Sequence, residues 1–149
     1  MQLIKRKKIT LEEKQRLVKR IKKFLEKEKT ILFAYIYGSF AEGTKFNDID
    51  IAIFFDEKQF PEKNKIFNYS LKLCSEIENN TGNHYQVEIH PLNLAPLSFR
   101  FAVITDGKLL IAREDDSRVD FEVRTRDLYF DFQPHFEYYY RTVVLGENI

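Results

Sequence analysis

Residues 31–55 read ILFAYIYGSFAEGTKFNDIDIAIFF, and the rest of the chain is organised around this stretch. An apolar run, Ile31–Tyr37, stops at Gly38-Ser39. A short polar connection, Phe40–Asn47, follows. Asp48-Ile49-Asp50 then opens a second apolar run, Ile51–Phe55. The pattern predicts two buried-type strands flanking a small-residue turn and a pair of acids.

Side chains alternate along a strand, so Asp48 and Asp50 share one face and Ile49 takes the other. Two carboxylates at that spacing repel each other, and each loses solvation as the strand enters the core. The arrangement is costly unless a cation sits between them or water reaches them freely. Oxygen ligands on a rigid strand suit Mg²⁺, which keeps some waters and takes further ligands from substrate phosphates. Gly38 and Ser39 are the complement. Glycine allows close backbone approach, and successive N–H groups beside a hydroxyl can cradle a phosphate. One end of the stretch is thus equipped to hold a triphosphate and the other its metal, as phosphoryl or nucleotidyl transfer requires.

A GS pair, a spacer and DxD between two apolar strands resembles the nucleotidyltransferase superfamily of DNA polymerase β type. Its short members are the minimal nucleotidyltransferases, or MNT proteins. The spacer here is somewhat shorter than the MNT pattern, and Phe40 and Asn47 stand where members often carry Arg and Ser. A second segment, Val87-Glu88-Ile89-His90-Pro91-Leu92-Asn93-Leu94-Ala95-Pro96, resembles the MNT segment that bears a third carboxylate. Glu88 takes the place of the usual Asp, one methylene longer. By this resemblance Asp48, Asp50 and Glu88 are the metal-binding and catalytic residues, and Gly38 and Ser39 bind the nucleotide. The implied fold is α/β, a small mixed sheet with helices packed on it and a C-terminal helical region.

The resemblance also implies a role. Stand-alone MNT proteins are antitoxins paired with a helical HEPN toxin, often an RNase, which they neutralise by moving AMP from ATP to a toxin tyrosine. Mg²⁺ and ATP are then the expected cofactor and substrate. Two alternatives stay open: an MNT-fold antitoxin that works by docking alone, and a nucleotidyltransferase for small molecules such as aminoglycosides. Glu88 and the short spacer favour the first, and a chain this short disfavours the second.

The 149 residues are expected to form one domain, long enough to bury a core without disulfides. Cys74 is the sole cysteine, so a reducing cytoplasm is the default compartment. No run approaches a membrane span, and no apolar segment follows the basic cluster Lys5–Lys8 as a signal peptide would require. A net charge of +1 says little about partners.

Thr10-Leu11-Glu12-Glu13 is a capping box, and the helix it starts carries Leu17, Val18, Ile21, Phe24 and Leu25 on one face. Its other face holds Lys14, Arg16, Lys19, Arg20, Lys22 and Lys23. Glutamates interleave with them, so it reads as a solvated face and direct nucleic-acid binding is not expected. Asp56–Phe60 is a connection. Pro61 should open a helix that runs to about Asn79, with Cys74 on its apolar side and Asn80–Asn83 as the stop. His84–Pro91 alternates like a strand. Leu97–Ile104 fits helix or strand by periodicity, and the resemblance favours helix. Lys108–Ala112 is a short strand after the Asp106-Gly107 turn.

From Glu114 onward a last helix is expected, kinked or divided at Pro134. Its rings, Tyr129 to Tyr140, point in too many directions for one stripe. They either form an interface or lie across the sheet. His84, His90 and His135 do not form a metal-ligand set by spacing. Walker A, GxGxxG and GxSxG are absent. Arg100 and Lys45 are candidate phosphate contacts by position alone.

Overall fold

A computed structural model describes residues 7–148 of the chain. Lys5 and Arg6 of the basic cluster lie outside the described residues. The elements, in order, are β1 (Lys7–Lys8), α1 (Leu11–Glu26), β2 (Ile31–Tyr37), α2 (Gly38–Glu42), β3 (Lys45–Phe46), β4 (Asp48–Phe55), α3 (Asn64–Asn80), β5 (Gln86–Pro91), α4 (Leu97–Asp106), β6 (Lys108–Ala112) and α5 (Asp115–Tyr139). Short 3₁₀ turns cover Glu57–Gln59 and Leu92–Leu94, and a π turn, Tyr140–Val144, follows α5.

Four strands form one mixed sheet in the order β5-β4-β2-β6. β2 pairs antiparallel with both β4 and β6, while β4 and β5 run parallel, joined through α3. β1 and β3 make a separate two-stranded ribbon. The central strands are apolar on both faces because helices cover both. Ile49, Ile51, Ile53 and Phe55 of β4 turn to the side where Leu17, Ile21 and Leu25 of α1 and Ile66, Leu73 and Ile77 of α3 pack. Phe33 and Tyr35 of β2 and Ala52 of β4 turn to the other side, against Val103 and Ile104 of α4 and Phe121 of α5. There Phe33 stacks on Phe54 at 5.0 Å, and Phe121 leans on both at 5.3 Å.

Local chemistry explains the element ends. Thr10 accepts from the Glu13 N–H, and the Glu13 carboxylate accepts from the Thr10 N–H, as a capping box requires. Asn93 is buried and locks the turn after β5 onto the end of β4. Its Oδ1 accepts from the Phe55 N–H at 2.8 Å, and its Nδ2 donates to the Phe55 carbonyl at 3.0 Å. The Asn of that segment is therefore a structural bolt. Arg113, just after β6, donates to the carbonyls of Glu26, Glu28 and Ile31, tying the α1–β2 corner to the far edge strand.

Four expectations change. The connection after Ser39 is not simply polar: Phe40, Ala41 and Phe46 are fully buried, with Phe40 and Phe46 edge to face at 4.8 Å. Gly38 and Ser39 begin a short helix instead of an open turn. Pro61 precedes α3 instead of opening it. The chain first winds through i,i+3 bonds from Lys65 to Glu62 and from Ile66 to Lys63, and regular helix starts at Asn64. Pro134 does not divide α5, which runs on to Tyr139. The proline has no N–H to give the Phe130 carbonyl, and at this exposed position water can take that bond.

The rings of α5 split by position. Phe121 is buried on the sheet, and Tyr129 stacks on Phe101 of α4 at 3.7 Å. Phe130, Phe132, Phe136 and Tyr138–Tyr140 are exposed. Leu97–Asp106 is helical, as the resemblance implies. Cys74 is half-buried against the core. No described helix is long and apolar enough to cross a membrane.

Candidate functional site

The antiparallel pairing of β2 with β4 sets Tyr37 opposite Asp50, so the end of one strand meets the start of the other. Gly38 follows at φ +73°, a left-handed backbone that favours glycine. A Cβ there would stand 2.7 Å from Asp50 Oδ2. Glycine is therefore required twice at this position, by its own φ and by the carboxylate beside it.

The parallel pairing of β4 with β5 brings the third carboxylate in. Asp48 stands opposite Gln86, Asp50 opposite Glu88 and Ala52 opposite His90. Strand alternation then puts Asp48, Asp50, Glu88 and His90 on one face. Ligand atoms of Asp50, Glu88 and His90 lie within 4.8 Å of one another. His90 Nε2 is 3.5 Å from Glu88 Oε2. Asp48 sits one pleat back along the strand, outside that close group but on the same ledge.

The electrostatics are those of crowded acids that Lys7 and His90 only partly offset. Asp50 is pushed up to about 6, first by burial, then by the Glu88 and Asp48 charges and a hydrogen bond shared with Glu88. Asp48 is raised too, by burial and by Glu88, with Lys7 opposing. The phenol of Tyr37 is held above its usual range by burial and by Asp50 and Glu88, so it stays protonated. A divalent cation would relieve each of these interactions. The donor set fits one: carboxylate oxygens for a hard ion, with an imidazole at its edge.

Two residues of this site were not singled out in the sequence. His90 does not join His84 and His135 in a set; it reaches the acids because it is two residues beyond Glu88 on the same strand face. Tyr37 lies under the acids because its strand pairs antiparallel with theirs. It packs against His90 at 5.9 Å and Phe99 at 5.4 Å. Alternation along β5 and a hairpin register for the two apolar runs carry both signals. Ser39 is half-buried at the start of α2, beside the exposed Gly38. Arg100 is engaged elsewhere, donating to the Asn93 carbonyl at 3.0 Å and lying over Phe121.

The polymerase beta nucleotidyltransferase family model matches residues 19–116, a span that includes Gly38, Ser39, Asp48, Asp50 and Glu88. No curated protein sequence matches the chain significantly. Among solved structures, the chain is similar to one from a complex of tri-AMPylated Shewanella oneidensis HEPN toxin with MNT antitoxin. The TM-score is 0.60 and the identity 22%, over 89% of this chain and 96% of that one. A toxin–antitoxin complex with AMP-PNP gives a TM-score of 0.61 at 23% identity, over 87% and 95%. The MntA–HepT toxin–antitoxin complex gives 0.59 at 22%, over 89% and 96%. At these identities the likeness is one of fold.

Proposed function

The chain belongs to the polymerase beta nucleotidyltransferase family, and from that premise we propose that it is a Mg²⁺-dependent protein adenylyltransferase. It acts as the antitoxin of a HEPN/MNT pair, moving AMP from ATP to a tyrosine hydroxyl of a HEPN toxin. The observation that carries this is the register that sets Glu88 beside Asp50, with Gly38 in contact distance of the same carboxylate. The fold shared with chains of the HEPN–MNT complexes supports the partner, and the AMPylated toxin in one of them supports the chemistry. The whole chain is taken as one domain, and Cys74 suits a reducing cytoplasm.

Asp48, Asp50 and Glu88 would hold Mg²⁺, which when bound neutralises triphosphate charge and polarises the α-phosphoryl group. The residues do the rest. Gly38 lets the backbone lie close against the Asp50 carboxylate, and the Ser39 hydroxyl and N–H can donate to phosphate oxygens. Glu88 takes the proton of the acceptor phenol as its oxygen attacks the α-phosphorus. The new O–P bond forms as the bond to the β-phosphate oxygen breaks, and pyrophosphate leaves. His90, 3.5 Å from Glu88, orients that carboxylate. Tyr37, kept neutral, gives the ledge a rigid aromatic floor.

Intact-mass spectrometry of the protein encoded beside this chain, incubated with it, ATP and Mg²⁺, tests the proposal. The partner should gain the mass of AMP, and the Asp48→Asn/Asp50→Asn protein should give none. A stable complex without mass gain would turn the function to neutralisation by docking, which the longer Glu88 and the position of Asp48 outside the close group favour. No gain and no complex would overturn both.

A further inference from the structure

A cavity of about 390 Å³ lies between α4 and α5, over Leu32 at the start of β2 and Phe54 near the end of β4. Phe54 is four residues beyond Asp50, roughly 13 Å along the strand, and no residue of the carboxylate ledge lines the cavity. Its volume falls in the range of roughly 300–1,000 Å³ that holds small molecules. Leu97 of α4 and Phe121 and Leu128 of α5 complete its apolar wall. The half-buried Arg100 also lines it. Arg100 Nη2 donates to the Asn93 carbonyl at 3.0 Å, and the guanidinium lies 5.6 Å from the centre of the Phe121 ring. Neither contact supplies a negative charge. Arg100 Nε is buried and has no hydrogen-bond acceptor among the described residues. Burial holds the Arg100 pKa below its usual range, opposed by the charge of Glu57. Glu57 Oε1 is itself taken by Asn93 Nδ2 at 3.2 Å, and the other cation of the wall, Arg124, pairs with Asp120 at 3.4 Å. Among the described residues Arg100 is thus a half-buried cation with no carboxylate bonded to it. A buried donor left unbonded is uncommon and marks a missing acceptor, and a half-buried charge without a counter-ion is costly.

We propose that this cavity is a second ligand site, which takes a small monocarboxylate with an aromatic body and holds its carboxylate on Arg100. A guanidinium presents parallel N–H groups that match the two oxygens of a carboxylate, and the pair is stronger where water is partly excluded. The aromatic body covers Leu32, Phe54, Leu97 and Leu128, which otherwise line an open space. The charges of the wall set the charge of the ligand. A single unpaired cation calls for one negative charge. A phosphate monoester carries nearly two, and the second would lie uncompensated beside Glu57 and Asp120. A neutral ligand would leave Arg100 unpaired, and a cationic one would add to its charge. The site does not overlap the carboxylate ledge, so this ligand and a nucleotide bind together.

The probe is phenylacetate, titrated into the full chain and followed by methyl NMR, with benzyl alcohol, benzylamine and phenyl phosphate as its neutral, cationic and dianionic counterparts. Phenylacetate should give saturable shifts centred on the methyls of Leu32, Leu97 and Leu128, and should bind more tightly than the other three. Its affinity should be the same with and without Mg²⁺ and AMP-PNP. In Arg100→Met it should fall by at least about tenfold, as expected when a charged hydrogen-bond partner is lost, while the weaker binding of benzyl alcohol stays as it was. Leu128→Glu changes an exposed position, so the fold is kept, and it should lower phenylacetate affinity by a similar factor through lost apolar wall and added negative charge. That variant decides the matter even where Arg100→Met unfolds. No saturable binding, shifts centred on Glu88 and His90, benzylamine or phenyl phosphate binding as tightly as phenylacetate, competition by AMP-PNP, or unchanged affinity in Leu128→Glu would overturn the site.

Discussion

Replacing Asp50 with Asn should make the ligand-free protein more stable while removing its activity. Asp50 titrates at about 6 in place of 3.8, because it is partly buried and faces Glu88 and Asp48. Ionising it in the folded chain therefore costs about 3 kcal/mol more than in the unfolded one, taken at full value. Water reaches part of the group, and screening reduces the net effect to about 1–2 kcal/mol. For a chain of this length that is a rise in Tm of roughly 3–6 °C for Asp50→Asn at pH 7.

The sign follows from proton counts. Between pH 4 and 6 the folded protein holds a proton on Asp50 that the unfolded chain has released, so stability falls as pH rises through that window. The loss is complete above about 6. Asn cannot titrate, so the Tm difference between variant and wild type should open from pH 4.5 to 7. Differential scanning calorimetry in chelator, at several pH values, measures it. Added Mg²⁺ should narrow the gap by neutralising the wild-type cluster. A variant that melts below the wild type at pH 7, or a gap that does not vary with pH, would refute the reasoning.

Glu88→Gln removes the nearest like charge, so Asp50 should titrate below 6 and closer to ordinary aspartate; carboxyl-carbon NMR titration reads this directly. Gly38→Ala puts a Cβ 2.7 Å from Asp50 Oδ2 on a left-handed backbone, and should cost about 1–3 kcal/mol in urea unfolding and weaken nucleotide binding. Asn93→Ala leaves the N–H and carbonyl of Phe55 buried without partners, and should cost about 2–4 kcal/mol in urea unfolding.

What the sequence disclosed, and what it hid, follows from the range over which each signal acts. Ile31–Tyr37 and Ile51–Phe55 are legible because a buried strand is a continuous apolar run. Thr10 and Glu13 are legible because a capping box is closed within four residues. The contact of Asp50 with Glu88 is different. It depends on a parallel register across the whole of α3, and no local pattern specifies it; only the family resemblance pointed to Glu88. His90 was passed over because histidine spacing was compared along the chain, whereas its neighbours are across strands. Phe40 and Phe46 read as part of a polar loop because their partners, each other and the β4 core, are brought together by the short helix and strand between them. Pro134 does not end the helix because its lost hydrogen bond falls at an exposed position, where water can reach the freed carbonyl.

The measurement that tests the centre most directly is calorimetric titration of AMP-PNP into the wild type and into Asp48→Asn/Asp50→Asn, each with Mg²⁺ and with chelator. The account predicts that the wild type binds the nucleotide only when Mg²⁺ is present, and that the double variant loses binding by at least about tenfold. AMP-PNP binding with equal affinity in chelator, or unchanged in the double variant, would contradict the assignment of these carboxylates as the ledge that holds the metal and its triphosphate.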